Sequence, residues 1–178
     1  MADSNAIAIG AGTLYVASIA TADPTNATAA LPSAWRQVGY TEEGNTFTYG
    51  IETEEVYVAE VLDPVRIDTT KRSGKVAFSM AEMTRQNLVL ALNSGAAGVN
   101  DTSSVEPPAV GSEVRVKLVL DTLGGSRWVF RRCIQGGEIE IARKKSPDKA
   151  LLPVEFKLEL PSGQQPFIVF PAASGYLT

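Results

Sequence analysis

Apolar and polar residues alternate along much of the chain, most regularly in its last third. There, runs of leucine, β-branched and aromatic residues are separated by glycine-rich or charged turns, roughly 8 to 12 residues apart. A period of two is typical of strands that bury one face. This spacing favours an antiparallel β-sandwich or barrel. The pattern predicts strands over residues 114–120, 127–134, 139–141, 154–160 and 167–170.

Shorter alternating runs fill the first half of the chain, where one strand is predicted around Leu14 and Val16 and another from Trp35 to Tyr40. Residues 21–34 contain two prolines and few large apolar side chains, so they are predicted to form a loop. Pro64 cannot donate a ladder hydrogen bond and should break a strand. Turns are also predicted at 41–45 and at 71–75, and the second of them is rich in lysine and arginine. Further strands are predicted at 46–49, 51–62 and 75–80.

The predicted strand at 51–62 alternates poorly. Glu52 and Glu54 share one parity with Val56, whereas Glu55 shares the other with Tyr57, so neither face is cleanly apolar. Such a pattern suits a strand that leaves the core or pairs with another chain.

One helix is predicted over residues 81–93, capped by Thr84 or Ser79, because Leu88, Val89 and Leu92 form an apolar stripe. The other side of this helix is predicted to face solvent. The sequence Asn93-Ser94-Gly95 is a signal for the end of the helix. The sequence therefore indicates a mainly β (α+β) fold in which one amphipathic helix flanks the sheet. The residues assigned to the solvent face are Glu82, Arg85, Gln86 and Asn87.

The 178 residues suit one domain, 1–178, with a flexible surface loop at 94–112. No run of about 18 apolar residues is present to span a membrane. The first residues lack the basic and apolar regions of a signal peptide. We therefore expect a soluble protein made in a cytoplasm, without a membrane partner.

Composition removes several kinds of chemistry. The chain has no histidine, which excludes Ser-His-Asp and Cys-His catalysis and histidine-ligated metal sites. Its single cysteine, Cys133, lies among strand-forming residues and is predicted to be buried. A net charge of −4 argues against a nucleic-acid-binding face. No cofactor or metal site is predicted.

Charged residues cluster in two places. Acidic side chains dominate from Glu42 to Asp68, with Arg66 as the only base between them. They could form a solvated surface or a wall that repels phosphate. The basic group Arg143, Lys144, Lys145 and Lys149 could bind phosphate. The lack of stacking aromatic residues nearby favours a solvated loop or a partner for acids on a neighbouring subunit.

Several segments together resemble the major tail tube proteins of long, non-contractile-tailed bacteriophages. The resemblance covers most of the chain and is strongest over residues 10–93. It rests on the amino-acid sequences of several segments and on their order along the chain. None of these segments is a catalytic motif. The segments are GAGTLYVA at 10–17, TADPTNATAALPSAWRQVGYTEEG at 21–44, FTYGIETEEV at 47–56, DPVRI at 63–67 and VAFSMAEMTRQNLVLALN at 76–93.

The resemblance implies a structural virion protein without enzymatic activity or cofactor. It implies hexameric rings that stack into a tube, through which phage DNA passes without specific binding. Tape-measure, tail-tip and terminator proteins are the further partners that it implies.

By the same analogy, residues 41–72 form an excursion that reaches neighbouring subunits, and some of its acids line the lumen. The candidate lumen-facing acids are Glu42, Glu43, Glu52, Glu54, Glu55 and Glu60. The candidate contact residues are Tyr49, Ile51, Val56, Tyr57, Val58, Val61, Asp63, Arg66, Asp68, Lys71 and Arg72.

Two alternatives remain open at this point. One is the inner tube of a contractile tail or of a secretion device, which shares the fold. The other is a β-sandwich hydrolase or carbohydrate-binding module that uses a pair of acids among Glu52, Glu54 and Glu55.

Overall fold

A computed structural model describes residues 12–94, 104–143 and 148–172, except for the side chain of Glu43. No helix in these ranges has the length and apolar character needed to cross a bilayer. The elements are β1 (Thr13–Ser18), β2 (Arg36–Gln37), β3 (Thr41–Val56), β4 (Arg66–Met80), α1 (Arg85–Ala91), β5 (Val116–Asp121), β6 (Arg127–Gln135), β7 (Leu152–Leu158) and β8 (Phe167–Phe170).

All strand pairs are antiparallel, in the order β2-β1-β5-β6-β7-β4-β3. The sheet divides at β6, which pairs with β8 through Arg127–Phe130 and with β7 through Cys133–Gln135. Side chains from both halves meet in one core, so the sheet folds over itself. The predicted mainly β sandwich with one flanking helix is confirmed.

The main core lies between the two halves of the sheet. Leu14, Leu118 and Phe130 come from one half, and Phe78 and Phe156 come from the other. The rings of Phe78 and Phe156 stack with centroids 5.8 Å apart. Each such buried side chain contributes roughly 1.5 to 3 kcal/mol through removal from water. Cys133 is also fully buried in this core, as predicted.

A smaller core lies on the opposite face of β1, β5 and β6, where Trp35 packs with Val119 and Val129. Leu31, from the predicted loop at 21–34, packs against this cluster. Charged contacts pin the loop: Asp23 pairs with Lys117, and Nε of Arg131 donates to Asp23 Oδ2 at 2.7 Å. Arg127 also donates to two carbonyls of the loop. This face of the sheet is therefore covered.

β3 and β4 form one long hairpin, and only its base belongs to the sandwich. β7 pairs with β4 through residues 75–80, and in the described ranges no strand accompanies the rest of β4 on that side. We call residues 49–73 the arm. All of its residues except Gly50, Pro64 and Asp68 are exposed.

Three predictions in this region are wrong. The turn at 41–45 is part of β3, where a register shift between Glu42 and Asn45 marks a bulge, with Gly44 at φ 79°. The basic turn at 71–75 is part of β4, because an exposed ribbon tolerates charged residues on either face. The strand at 51–62 ends at Val56, and residues 57–65 connect the two strands. The strand does leave the core, as its poor alternation indicated.

The helix is shorter than predicted and begins after Thr84, whose side chain accepts a hydrogen bond from Asn87 N at 3.2 Å. Asn93, at φ 56°, follows the helix as the stop signal indicated. Asn87 was assigned to the solvent face but is buried, because its amide donates to the carbonyl oxygens of Val38 and Glu82. The predicted strand at 139–141 is absent, and those residues have no regular structure.

Candidate functional surfaces

The register of the hairpin gives its two faces different chemistry. Phe47 pairs with Val76 and Asn45 with Phe78, so these positions face the core. The alternate positions face away from it. We call this second surface the polar face; it continues onto β7. It carries Glu42, Thr46, Thr48, Glu52 and Glu54 from β3, Asp68, Lys71, Ser73, Lys75, Ala77 and Ser79 from β4, and Glu155 and Lys157 from β7.

Several charged side chains of the polar face form ion pairs. Lys71 Nζ lies 2.8 Å from Glu52 Oε1, and Lys75 Nζ lies 2.8 Å from Glu155 Oε2. Lys149 reaches Glu42 at 3.0 Å. The hydrogen bond from Lys75 lowers the pKa of Glu155 below its ordinary value. Exposed pairs of this kind add little to the stability of the fold. Their main effect is to keep Lys71, Lys75 and Lys149 next to carboxylates.

The predicted lumen-facing acids do not share one surface. Glu42, Glu52 and Glu54 lie on the polar face, whereas Glu55 points to the opposite side and accepts a hydrogen bond from the Tyr57 hydroxyl. Glu60 lies in the connection at the tip of the arm. The side chain of Glu43 is outside the described residues. Among the described residues, Glu54 has no cationic partner, and Asp68 faces it across the ribbon.

The opposite face of the arm also carries Glu55, but it presents a group of apolar side chains, and we call it the apolar face. Tyr49 lies against Phe167, with ring centroids 5.5 Å apart, while Ile51 and Ile67 are more than half exposed. Leu62, at the tip, is 98% exposed. Clustered, exposed apolar side chains are typical of an interaction surface.

The predicted contact residues lie along this arm, and all except Asp68 are exposed. The sequence reading omitted three exposed apolar residues of the arm. Each is an apolar residue within a mostly polar stretch of sequence, and this contrast could have identified it as a contact residue. They are Leu62, Val65 and Ile67.

The charged loop near β7 is only partly described. Lys144 and Lys145 lie outside the described residues, as do residues 95–103 of the loop predicted at 94–112. Lys149 contacts Glu42 of its own chain, so at least one of these bases has an intramolecular partner.

The geometry gives little support to the hydrolase alternative. Glu54 and Glu55 point to opposite faces, and Lys71 neutralises Glu52. In the described ranges, no group of three or more acidic or cysteine residues could hold a metal ion. Burial, together with nearby Glu159, raises the pKa of the Cys133 thiol, which makes it unreactive.

Comparison with known families identifies the family of the chain. Residues 1–163 match the family model described as phage tail tube protein. A search of curated proteins found no match.

Proposed function

The chain belongs to the phage tail tube protein family, and from this premise we propose that its subunits form hexameric rings that stack into a DNA-conducting tube. Family membership makes it a structural protein of the phage tail. The ring, the channel and the identity of the channel wall are the proposal.

The exposure of the polar face is the observation that supports its assignment to the channel wall. The inner faces of the two halves of the sheet form the main core. The loop at 21–34 covers the outer face of β1, β5 and β6. In the described ranges, the polar face of β3, β4 and β7 is the broad sheet surface left open to water. We assign this surface to the lumen.

The chemistry of the polar face suits a passage that DNA crosses without being held. Duplex DNA carries one negative charge per about 1.7 Å, and free lysines would bind it by releasing counterions. Here Lys71 and Lys75 lie beside carboxylates, and small side chains such as Thr46 and Ser79 separate the charges. Glu54 adds a carboxylate without a described cationic partner, which repels phosphate.

We assign the arm to contacts between subunits. Its apolar face is too exposed to stabilise the free subunit, and burial against a second copy would remove that surface from water. The heterologous contact that results can close a ring or link successive rings. Tape-measure, tail-tip and terminator proteins would meet the ends of the tube, as the family implies.

The replacement Glu54→Lys tests the assignment of the polar face. Lysine at this position faces Asp68 across the ribbon, so the arm should stay folded. Tubes should form, but a positive charge repeated in every subunit should hold DNA. We expect infectivity and the rate of DNA ejection to fall on the order of tenfold at low salt, with recovery as salt rises.

The matched control is Glu106→Lys, which makes the same charge change in an exposed loop away from the polar face. This control should eject DNA normally. Equal ejection by the two variants would exclude the polar face from the lumen.

A further inference from the structure

The outer half of the arm begins at a β-bulge in β4. Glu52 pairs with Lys71, and the next residue of β3, Thr53, pairs with Thr69. Thr70 therefore has no pairing partner in β3, and two residues of β4 occupy the space of one. The Thr70 side chain is exposed, and its hydroxyl donates to the Glu52 carbonyl at 3.2 Å. This hydrogen bond holds the extra residue outside the ladder.

The bulge decides which face of the arm carries the side chains of β4 beyond it. In the observed pairing, which we call the bulged register, Ile67 shares the apolar face with Ile51, and Asp68 lies on the polar face. In a ladder without the bulge, which we call the continuous register, Thr53 would pair with Thr70, and later residues of β4 would shift by one position. Because side chains alternate between the faces of a strand, Ile67 would move to the polar face and Asp68 to the apolar face.

The arm itself does little to choose between the two registers. Both place a threonine opposite Thr53 and a glutamate opposite Asp68. The continuous register removes the bulge and places Ile67 opposite Val56, a favourable pair of β-branched residues. The bulged register gains the exposed hydrogen bond from Thr70 in return. A register is strongly specified only where one face is buried, whereas the arm is exposed on both faces. The two registers should therefore be close in free energy.

We propose that the outer half of the arm exchanges between these two registers in the free subunit, and that contact with a second copy selects the bulged one. The bulged register presents Ile51 and Ile67 on one face, which a second copy would bury. The continuous register places the Asp68 carboxylate on that face, where burial would be costly. A partner that binds one of two states shifts the equilibrium towards that state. The inference rests on the proposed function, because it takes the arm as the contact between subunits.

Two pairs of cysteines lock the two registers. Glu54→Cys/Asp68→Cys joins positions that lie opposite each other only in the bulged register. Glu54→Cys/Thr69→Cys joins positions that lie opposite each other only in the continuous register. In the bulged register this second pair points to opposite faces, so that its disulfide cannot form. The native Cys133 is buried and stays inert.

Mild oxidation of dilute subunits should give an intramolecular disulfide in both variants, measured by mass spectrometry and by electrophoresis without reductant. The oxidised Glu54→Cys/Asp68→Cys variant should then form tubes. The oxidised Glu54→Cys/Thr69→Cys variant should form none until reductant opens its disulfide. The matched control is Glu52→Cys/Arg72→Cys, which has the same one-residue offset on the near side of the bulge and should give no intramolecular disulfide.

Three results would overturn the inference. If Glu54→Cys/Thr69→Cys forms no more disulfide than the control, the free subunit does not visit the continuous register. If both oxidised variants form tubes equally, or if the one locked in the bulged register forms none, the register does not select the assembling state. If the unmodified protein forms no tubes even with tail-tip components present, the proposed function is wrong and selection by a second copy fails with it, while cross-linking of the free subunit still decides whether the arm exchanges.

Discussion

Replacement of residues 51–72 by Asn-Gly should abolish tube growth and leave the body of the subunit folded. Gly50 pairs with Ser73, so a two-residue turn can close the shortened hairpin. The removed side chains are mostly exposed and none belongs to either core. Circular dichroism should retain its β signal, and the free energy of unfolding should change by no more than about 1 kcal/mol. Electron microscopy should show no tubes.

A second variant separates the length of the arm from its apolar face. Ile51→Thr/Ile67→Thr keeps the arm and uses β-branched residues that favour strands. Because both isoleucines are more than half exposed, the subunit should remain stable while tube growth falls sharply. If the first variant, which lacks residues 51–72, still forms tubes of normal length, the arm does not contribute to assembly.

Replacement of Asp23 by alanine should destabilise the subunit by about 3 kcal/mol. The carboxylate joins Lys117 and Arg131, whose side chains are only 10% and 14% exposed. Its removal leaves two largely buried cations without their carboxylate partner and frees the loop over the second core. Urea unfolding measures the loss.

The control is Asp148→Ala, which removes an exposed acid and should change stability by less than about 0.5 kcal/mol. A loss at Asp23 no larger than this would show that the loop does not depend on the ion pairs.

The same site predicts a pH dependence. Burial raises the pKa of Asp23, but the hydrogen bonds from Lys117 and Arg131 outweigh burial and hold it below its ordinary value of 3.8. The stabilisation is therefore fully present above that pH and is lost as the pH falls through the lowered pKa. The free energy of unfolding should decline less steeply below pH 4 in Asp23→Ala than in the unmodified protein.

The sequence predicted the elements whose signals are local. Alternating apolar residues located β5, β6 and β7, and the apolar stripe around Leu88 located the helix, whose cap is Thr84, one of the two predicted candidates. Poor alternation after Ile51 correctly indicated a strand that leaves the core. These patterns depend on burial of one face, which the chain records directly.

Features that depend on distant residues were missed. The charged stretch 71–75 resembles a turn until β3 pairs with it. Asn87 looks solvent-exposed until the carbonyl of Val38, 49 residues earlier, accepts its hydrogen bond. The contact between Asp23 and Lys117 joins residues 94 positions apart. The parity that separates Glu54 from Glu55 was visible in the sequence, but only the register identifies which face lies away from the core.

Electron microscopy of the purified protein across a concentration series, with and without tail-tip components, tests the central claim most directly. The account predicts stacked rings with sixfold end views, an open centre, and the polar face of β3, β4 and β7 on the inner wall. Particles that remain single subunits under all these conditions would contradict it. Rings of another symmetry, or with the covered face of β1 and β5 lining the channel, would contradict it as well.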